Sequence, residues 1–181
     1  MKKLLFFLMI GWVALAISCK KEATNPSAIP IQFELRLLND KGTISTKFSE
    51  GENFTLSFIM RNPTDSLWAF RLATARISTD FFKVYDGQGN SFGKPFSGAF
   101  CSQEPSGATR GIEGKEIWEI KIPWVVKDST NYPLFCNPTK LPFLKRGNYT
   151  TGFKGSFDFL LHGGKVLRTD TLNFNVNFSI L

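Results

Sequence analysis

Leu172-Asn173-Phe174-Asn175-Val176-Asn177-Phe178-Ser179-Ile180 decides the fold. Apolar side chains occupy every second position, and amides or a hydroxyl stand between them. Successive side chains of a β-strand point to opposite faces, so this segment predicts one buried face and one wet face. Antiparallel sheets covering a core on one side read this way. The same period recurs upstream. Ile31, Phe33, Leu35 and Leu37 alternate with Gln32, Glu34 and Arg36. Phe54, Leu56, Phe58 and Met60 alternate with Thr55 and Ser57, and Trp118, Ile120, Ile122 and Trp124 share a face opposite Glu119 and Lys121. No apolar stripe of period 3.6 persists long enough for a major helix.

Turn-forming residues separate these runs: Asn39-Asp40-Lys41-Gly42, Asn62-Pro63-Thr64-Asp65, Asp86-Gly87-Gln88-Gly89-Asn90 and His162-Gly163-Gly164-Lys165. Gly163-Gly164 predicts a two-residue hairpin turn joining a strand over residues 149–161 to one over 166–180. Seven to eight strands at irregular spacing predict an all-β fold, an immunoglobulin-like antiparallel β-sandwich. Two long irregular loops, residues 96–111 and 127–142, carry Cys101 and Cys136.

The chain opens Met1-Lys2-Lys3, followed by an apolar run from Leu4 to Ile17. As a helix that run would span about 21 Å, short of the roughly 30 Å hydrocarbon core of a bilayer, so it reads as a signal-peptide segment. It ends Ala16-Ile17-Ser18-Cys19, which resembles a lipobox. The resemblance implies a signal peptide over 1–18, acylation of Cys19 (palmitate among the acyl chains), and attachment to a bacterial envelope membrane. The outer membrane is the expected site, on its periplasmic or surface face. Residues 19–28 form a polar tether with a reach of only about 15–18 Å, and 29–181 form the domain. Several acyl chains make such anchoring stable where one is marginal.

Removing residues 1–18 leaves 163 residues, one domain's worth, and lowers the net charge from +7 to +5. Basic residues are scattered among acids, with no stripe of the kind nucleic-acid binding needs. With Cys19 acylated, Cys101 and Cys136 are left as an even pair in an oxidising compartment, which predicts a structural disulfide closing a 36-residue loop.

Gly51-Glu52-Asn53-Phe54-Thr55-Leu56-Ser57-Phe58, Arg61-Asn62-Pro63-Thr64-Asp65, and Asp80-Phe81-Phe82-Lys83-Val84-Tyr85-Asp86 with Gly89 together resemble the intracellular proteinase inhibitor (BsuPI-type) family. Leu144-Lys145-Arg146-Gly147-Asn148-Tyr149 is similar to the Leu-x-x-Gly-x-Tyr that opens a late strand in many such domains. The resemblance covers about forty residues. It implies an immunoglobulin-like sandwich and, as a function, a loop presented to a protease.

No catalytic constellation emerges. His162 is the one histidine, and it lacks the partners of a hydrolase or a zinc site. Gly87-Gln88-Gly89-Asn90-Ser91-Phe92-Gly93 has the wrong spacing for a nucleotide loop. Asp86, Gln88 and Asn90 offer too little charge for calcium. Trp68, Trp118 and Trp124 could stack sugars, but Trp118 and Trp124 share the apolar face of their run, and core packing explains them better. No cofactor is expected. Asp65-Ser66-Leu67, Asp128-Ser129-Thr130 and Asp170-Thr171-Leu172 each resemble the acceptor sequence of a bacterial O-glycosylation system, which makes Ser66, Ser129 and Thr171 candidate sites, the first two favoured as loop residues. The expectation is a non-enzymatic, lipid-anchored binding or assembly module that contacts an envelope protein or a glycan, with protease inhibition as the alternative.

Overall fold

The alternating runs become the strands of facing sheets. The structure, a computed structural model, describes residues 29–71, 75–97, 109–128 and 137–181. Thirteen strands form there: β1 (Gln32–Leu38), β2 (Lys47–Phe48), β3 (Thr55–Arg61), β4 (Trp68–Phe70), β5 (Arg76–Ile77), β6 (Val84–Asp86), β7 (Ser91–Gly93), β8 (Arg110–Ile112), β9 (Ile117–Pro123), β10 (Gly147–Ser156), β11 (Asp158–Leu160), β12 (Val166–Arg168) and β13 (Leu172–Ile180). They make a three-stranded sheet β1-β3-β9, a six-stranded sheet β2-β13-β10-β6-β7 in which β5 also pairs with β10, and a four-stranded sheet β12-β11-β4-β8. The fold is an all-β, immunoglobulin-like sandwich. Among the described residues no helix is long and apolar enough to cross a membrane.

Register places the runs read from the sequence on one inner face. Leu35 lies opposite Phe58, and Phe58 opposite Ile120, across β1, β3 and β9. From the other sheet, Phe153 faces Phe174 across β10 and β13. Phe58 is fully buried where these layers meet. Five rings surround it, those of Phe33, Phe81, Phe153, Phe157 and Phe174, with centroids 5.3–6.4 Å away. Aromatic pairs at such distances add to the stabilisation from burial alone. At one end of the core Trp124 is also fully buried. It stacks on Phe54 and donates its indole N–H to the Pro142 carbonyl at 2.9 Å. Trp118 packs edge-on against Phe70, and Trp68 against Phe159. All three tryptophans serve packing.

The Leu-x-x-Gly-x-Tyr segment forms a tyrosine corner. Tyr149 donates its phenol to the Lys145 carbonyl at 2.8 Å, and Leu144 is buried beside it. This tie recurs in immunoglobulin-like sandwiches. Burial raises the Tyr149 pKa, and the Asp86 and Glu50 charges add to the rise.

The terminal hairpin differs from its expected form. Leu160 pairs with Val166, so residues 161–165 form the loop, closed by the Leu161 N–H on the Lys165 carbonyl at 2.8 Å. Gly163 and Gly164 both adopt positive φ, 80° and 78°, but inside a turn of 3-10 helix over His162–Gly164. The hairpin is also divided. β10 and β13 pair in the six-stranded sheet, and β11 and β12 in the four-stranded one. At the break the Phe157 N–H donates to Thr169 Oγ1, and the Thr169 N–H donates to the Phe157 carbonyl, each at 3.0 Å. This division, with several ladders of two or three residues, raises the strand number. One pairing is parallel: Ser179 and Ile180 of β13 lie beside Lys47 and Phe48 of β2.

Candidate functional site

The loop between β3 and β4 is organised by one buried amide. Asn62 is fully excluded from solvent. Its Nδ2 donates to the carbonyls of Ser66, Ile112 and Glu113 at 2.7, 2.9 and 3.0 Å. Its Oδ1 accepts the Thr64 N–H at 3.0 Å and the Thr64 hydroxyl at 2.7 Å. An asparagine whose carbonyl captures an N–H two residues on builds an Asx turn, which here encloses Pro63 with its fixed φ. The donation to Ser66 closes the loop on itself, and the two to Ile112 and Glu113 pin it to a segment fifty residues away.

That second loop, residues 113–116 between β8 and β9, interlocks with the first. The Lys115 N–H donates to the Thr64 carbonyl at 2.9 Å, and Lys115 Nζ donates to the Pro63 carbonyl at 2.7 Å. Glu116 Oε2 accepts the Glu113 N–H at 2.8 Å and closes the turn. Gly114 lies so close to Asp65 that a Cβ would stand 2.6 Å from the Asp65 carbonyl carbon and oxygen. Only glycine fits between these backbones. The exposed Lys115–Asp65 ion pair at 3.2 Å is screened by water and adds little.

What this frame holds out is Asp65-Ser66-Leu67. Ser66 is exposed, and its hydroxyl has no hydrogen-bond partner among the described residues. Leu67 is 57% exposed, although its Cδ1 rests over Gly111, 2.7 Å from where a Cβ would be. A polar loop tip carrying an exposed leucine is thus fixed by backbone-directed bonds from beneath. The sequence marks Asn62 as a turn residue. That its side chain is buried depends on a contact with Ile112 and Glu113, which no local signal reveals.

The other candidate residues lie apart from this loop. Thr171 is exposed and immediately precedes β13. It borders a cleft with Arg76, Lys154 and Arg168. Cys19, Cys101, Cys136 and Ser129 lie outside the described residues. The flanks of the two later cysteines do meet. Phe96 bridges Pro138, the Ser97 N–H donates to the Asn137 carbonyl at 3.0 Å, and the Thr139 N–H donates to the Pro95 carbonyl at 2.9 Å. Asp86 is saturated by its own turn, accepting from the Gln88 N–H, the Asn90 N–H and Asn90 Nδ2 at 2.8–2.9 Å. The Asn90 side chain, with these backbone donors, lowers the Asp86 pKa. Among the described residues no group of three or more histidine, cysteine or acidic side chains could hold a metal ion.

A separate cross-strand network covers the outer face of the three-stranded sheet. Glu119 Oε1 accepts from Arg36 at 2.9 Å and from the Ser57 hydroxyl at 2.5 Å, and Lys121 pairs with Glu119 Oε2 at 2.9 Å. Burial alone would raise the Glu119 pKa. The bonds from Ser57, Lys121 and Arg36 outweigh it and hold the carboxyl below its ordinary value.

No family model matches the chain, and no curated protein is similar enough to register as a relative. Among solved structures, the chain is similar to the ASH/PapD-like domain 7 of human CEP192. The two share 14% identity with a TM-score of 0.37, over 86% of this chain and 87% of that one. At that score the likeness carries no argument about function.

Proposed function

We propose that this chain is a lipid-anchored cell-envelope protein whose domain is a non-catalytic binding or assembly module, with residues 62–67 as its contact loop. The observation that carries the reading is the Asn62 brace. An exposed Asp-Ser-Leu tip fixed by a fully buried side chain is pre-organised for a partner, and pre-organisation lowers the ordering cost of association. Ala16-Ile17-Ser18-Cys19 supports the anchor, which holds the loop close to a membrane through a short tether. Cys101 and Cys136 form a disulfide in this reading. The backbone pairing of Ser97 with Asn137 leaves four residues to reach Cys101 and one to reach Cys136, a span that suits a bridge.

Photo-crosslinking from position 67 in intact cells tests the contact. A discrete adduct in the membrane fraction supports it. Adducts no different from those formed at the exposed Lys165 would reject it. Palmitate labelling that is lost in Cys19→Ser tests the anchor separately.

The exposed Leu67 on a rigid loop also favours a second reading, in which the loop enters a protease and inhibits it. A panel of endopeptidases decides this. Inhibition by the wild type that Leu67→Asp abolishes would establish it, and no inhibition of any panel member would remove it.

A further inference from the structure

The outward face of β10 and β13 carries a second binding feature that the loop does not explain. Three asparagines, Asn173, Asn175 and Asn177, occupy consecutive outward positions of β13, followed by Ser179. Asparagine is depleted from strands, where threonine or valine fits the pleat better, so three in register on one strand need a reason. Across the ladder Asn148 lies opposite Ser179, Thr150 opposite Asn177, Gly152 opposite Asn175, and Lys154 opposite Asn173. The result is a strip of amides and hydroxyls about 20 Å long, at roughly 3.4 Å per residue.

Asn148, Thr150, Asn177 and Ser179 floor an open cleft of about 420 Å³. Lys47 of β2 borders it on one side, and Asp86 with Gly87 on the other. The hydrogen-bonding capacity of this floor is only partly used. Ser179 Oγ donates to Asn148 Oδ1 at 2.9 Å, and Thr150 Oγ1 donates to Asn175 Oδ1 at 2.6 Å. The amide of Asn177 and the Nδ2 groups of Asn148 and Asn175 have no partner among the described residues, so both donors and acceptors face solvent.

One ring joins the same face. Tyr85 of β6 stands directly opposite Thr150 in the ladder. Its hydroxyl donates to Asp80 Oδ1 at 2.8 Å, and Lys83 Nζ lies 5.2 Å from its ring centroid, so the ring is held from two sides. None of the large exposed apolar side chains lies on the cleft floor, which is unlike a protein-docking core. The cleft lining holds one acid, Asp86, which is occupied by its own turn, and one lysine, Lys47. Lys83 beside Tyr85 pairs with Asp80 at 3.7 Å, and Lys154 lies at the far end of the strip. Such a surface suits neither a polyanion nor a polycation. It matches an uncharged polyol, whose neighbouring hydroxyls both donate to and accept from an amide while an aromatic ring covers an apolar sugar face.

We propose that the cleft over Asn148, Thr150, Asn177 and Ser179, with Tyr85 beside it, binds a neutral polysaccharide chain. The site is independent of residues 62–67, so its failure leaves the contact loop untouched.

Native gels containing galactomannan, glucomannan, xyloglucan, laminarin or dextran, run with the full chain in detergent, test this. The expected result is retardation by at least one of these polymers, retained in ~1 M salt, where the Debye length falls to ~3 Å. Asn148→Ala with Asn177→Ala should weaken it about tenfold or more, as loss of two amide contacts implies. Asn177→Thr controls for folding: threonine favours strands, so its melting temperature should match or exceed the wild type while retardation falls. Four results would overturn the proposal: no retardation by any neutral polymer, retardation by polygalacturonate alone that salt abolishes, unchanged retardation in the double variant, or a wild-type dimer that the same substitutions dissociate.

Discussion

Replacing Asn62 with alanine should loosen the contact loop and weaken the whole domain. Three carbonyls lose their donor and Thr64 loses its acceptor. The Ser66 and Glu113 carbonyls belong to exposed residues and can rehydrate. Ile112 is fully buried, so its carbonyl is stranded, at about 1–3 kcal/mol for an unpaired buried group. Loss of the two bonds to Thr64, at roughly 1 kcal/mol each before rehydration, brings the expected destabilisation to about 2–4 kcal/mol. A domain of this size loses about 2–4 °C per kcal/mol, which places the drop in melting temperature at roughly 5–15 °C. Denaturant unfolding of wild type, Asn62→Ala and Asn62→Asp measures it.

The aspartate variant adds a sign. It keeps the acceptor for Thr64 but turns a carboxylate oxygen toward three carbonyls, so at neutral pH it should be less stable than alanine. Those carbonyls raise its folded pKa above the unfolded one, so the folded state binds the proton more tightly and stability recovers as pH falls. A cost below ~0.5 kcal/mol for alanine, or an aspartate variant indifferent to pH, would refute the brace.

Phe58→Ala removes the ring at the centre of five others and should cost about 3–5 kcal/mol in chemical denaturation. Thr151 is fully buried with an unpaired hydroxyl, so Thr151→Val should leave stability unchanged or raise it by about 1 kcal/mol, and a loss beyond that would reveal a missing partner. The Glu119 carboxyl, held low by Ser57, Lys121 and Arg36, contributes stability that is present above its unfolded pKa and lost as pH falls through the folded one. Glu119→Gln should therefore flatten the acid side of the stability–pH curve, seen in melting temperatures from neutral pH downward. Intact mass should show Cys101 and Cys136 joined, and reduction should lower stability by roughly 4 kcal/mol on the chain-entropy model.

The inner face of β13 was legible in sequence because its alternation is unbroken over nine residues. In β1, β3 and β9 the period still marks the inner positions, although Leu37-Leu38, Phe58-Ile59-Met60 and Ile117-Trp118 interrupt it. The ladders of two or three residues carry no period. β2 and β5 exist because their longer neighbours β13 and β10 offer them an edge, and β12 because the last loop folds it back on β11. Gly163-Gly164 marked the last turn correctly in place but not in length, since two positive-φ glycines fit a 3-10 turn as well as a two-residue loop. At the candidate site, Asn62-Pro63-Thr64 was legible as a turn. Its role as a brace was not, because burial of the amide depends on Ile112 and Glu113 meeting it from fifty residues away, with Gly114 letting the two backbones approach at Asp65. The Asn173-Asn175-Asn177 alternation was visible, but its partners Asn148 and Thr150 become neighbours only through the β10–β13 register.

Hydrogen exchange at the backbone amides of the wild-type loop tests the central claim most directly. The Thr64 amide is bonded to Asn62 Oδ1, the Ser66 amide to Thr64 Oγ1, and the Lys115 amide to the Thr64 carbonyl. An exposed loop tip without a brace exchanges near the rate of a free peptide. The account predicts that the Thr64 and Lys115 amides exchange slowly, close to the rates of the β3 and β9 ladder, while the Asp65 amide exchanges fast. Free-peptide rates at Thr64 and Lys115 would contradict it, because residues 62–67 would then be no pre-organised surface.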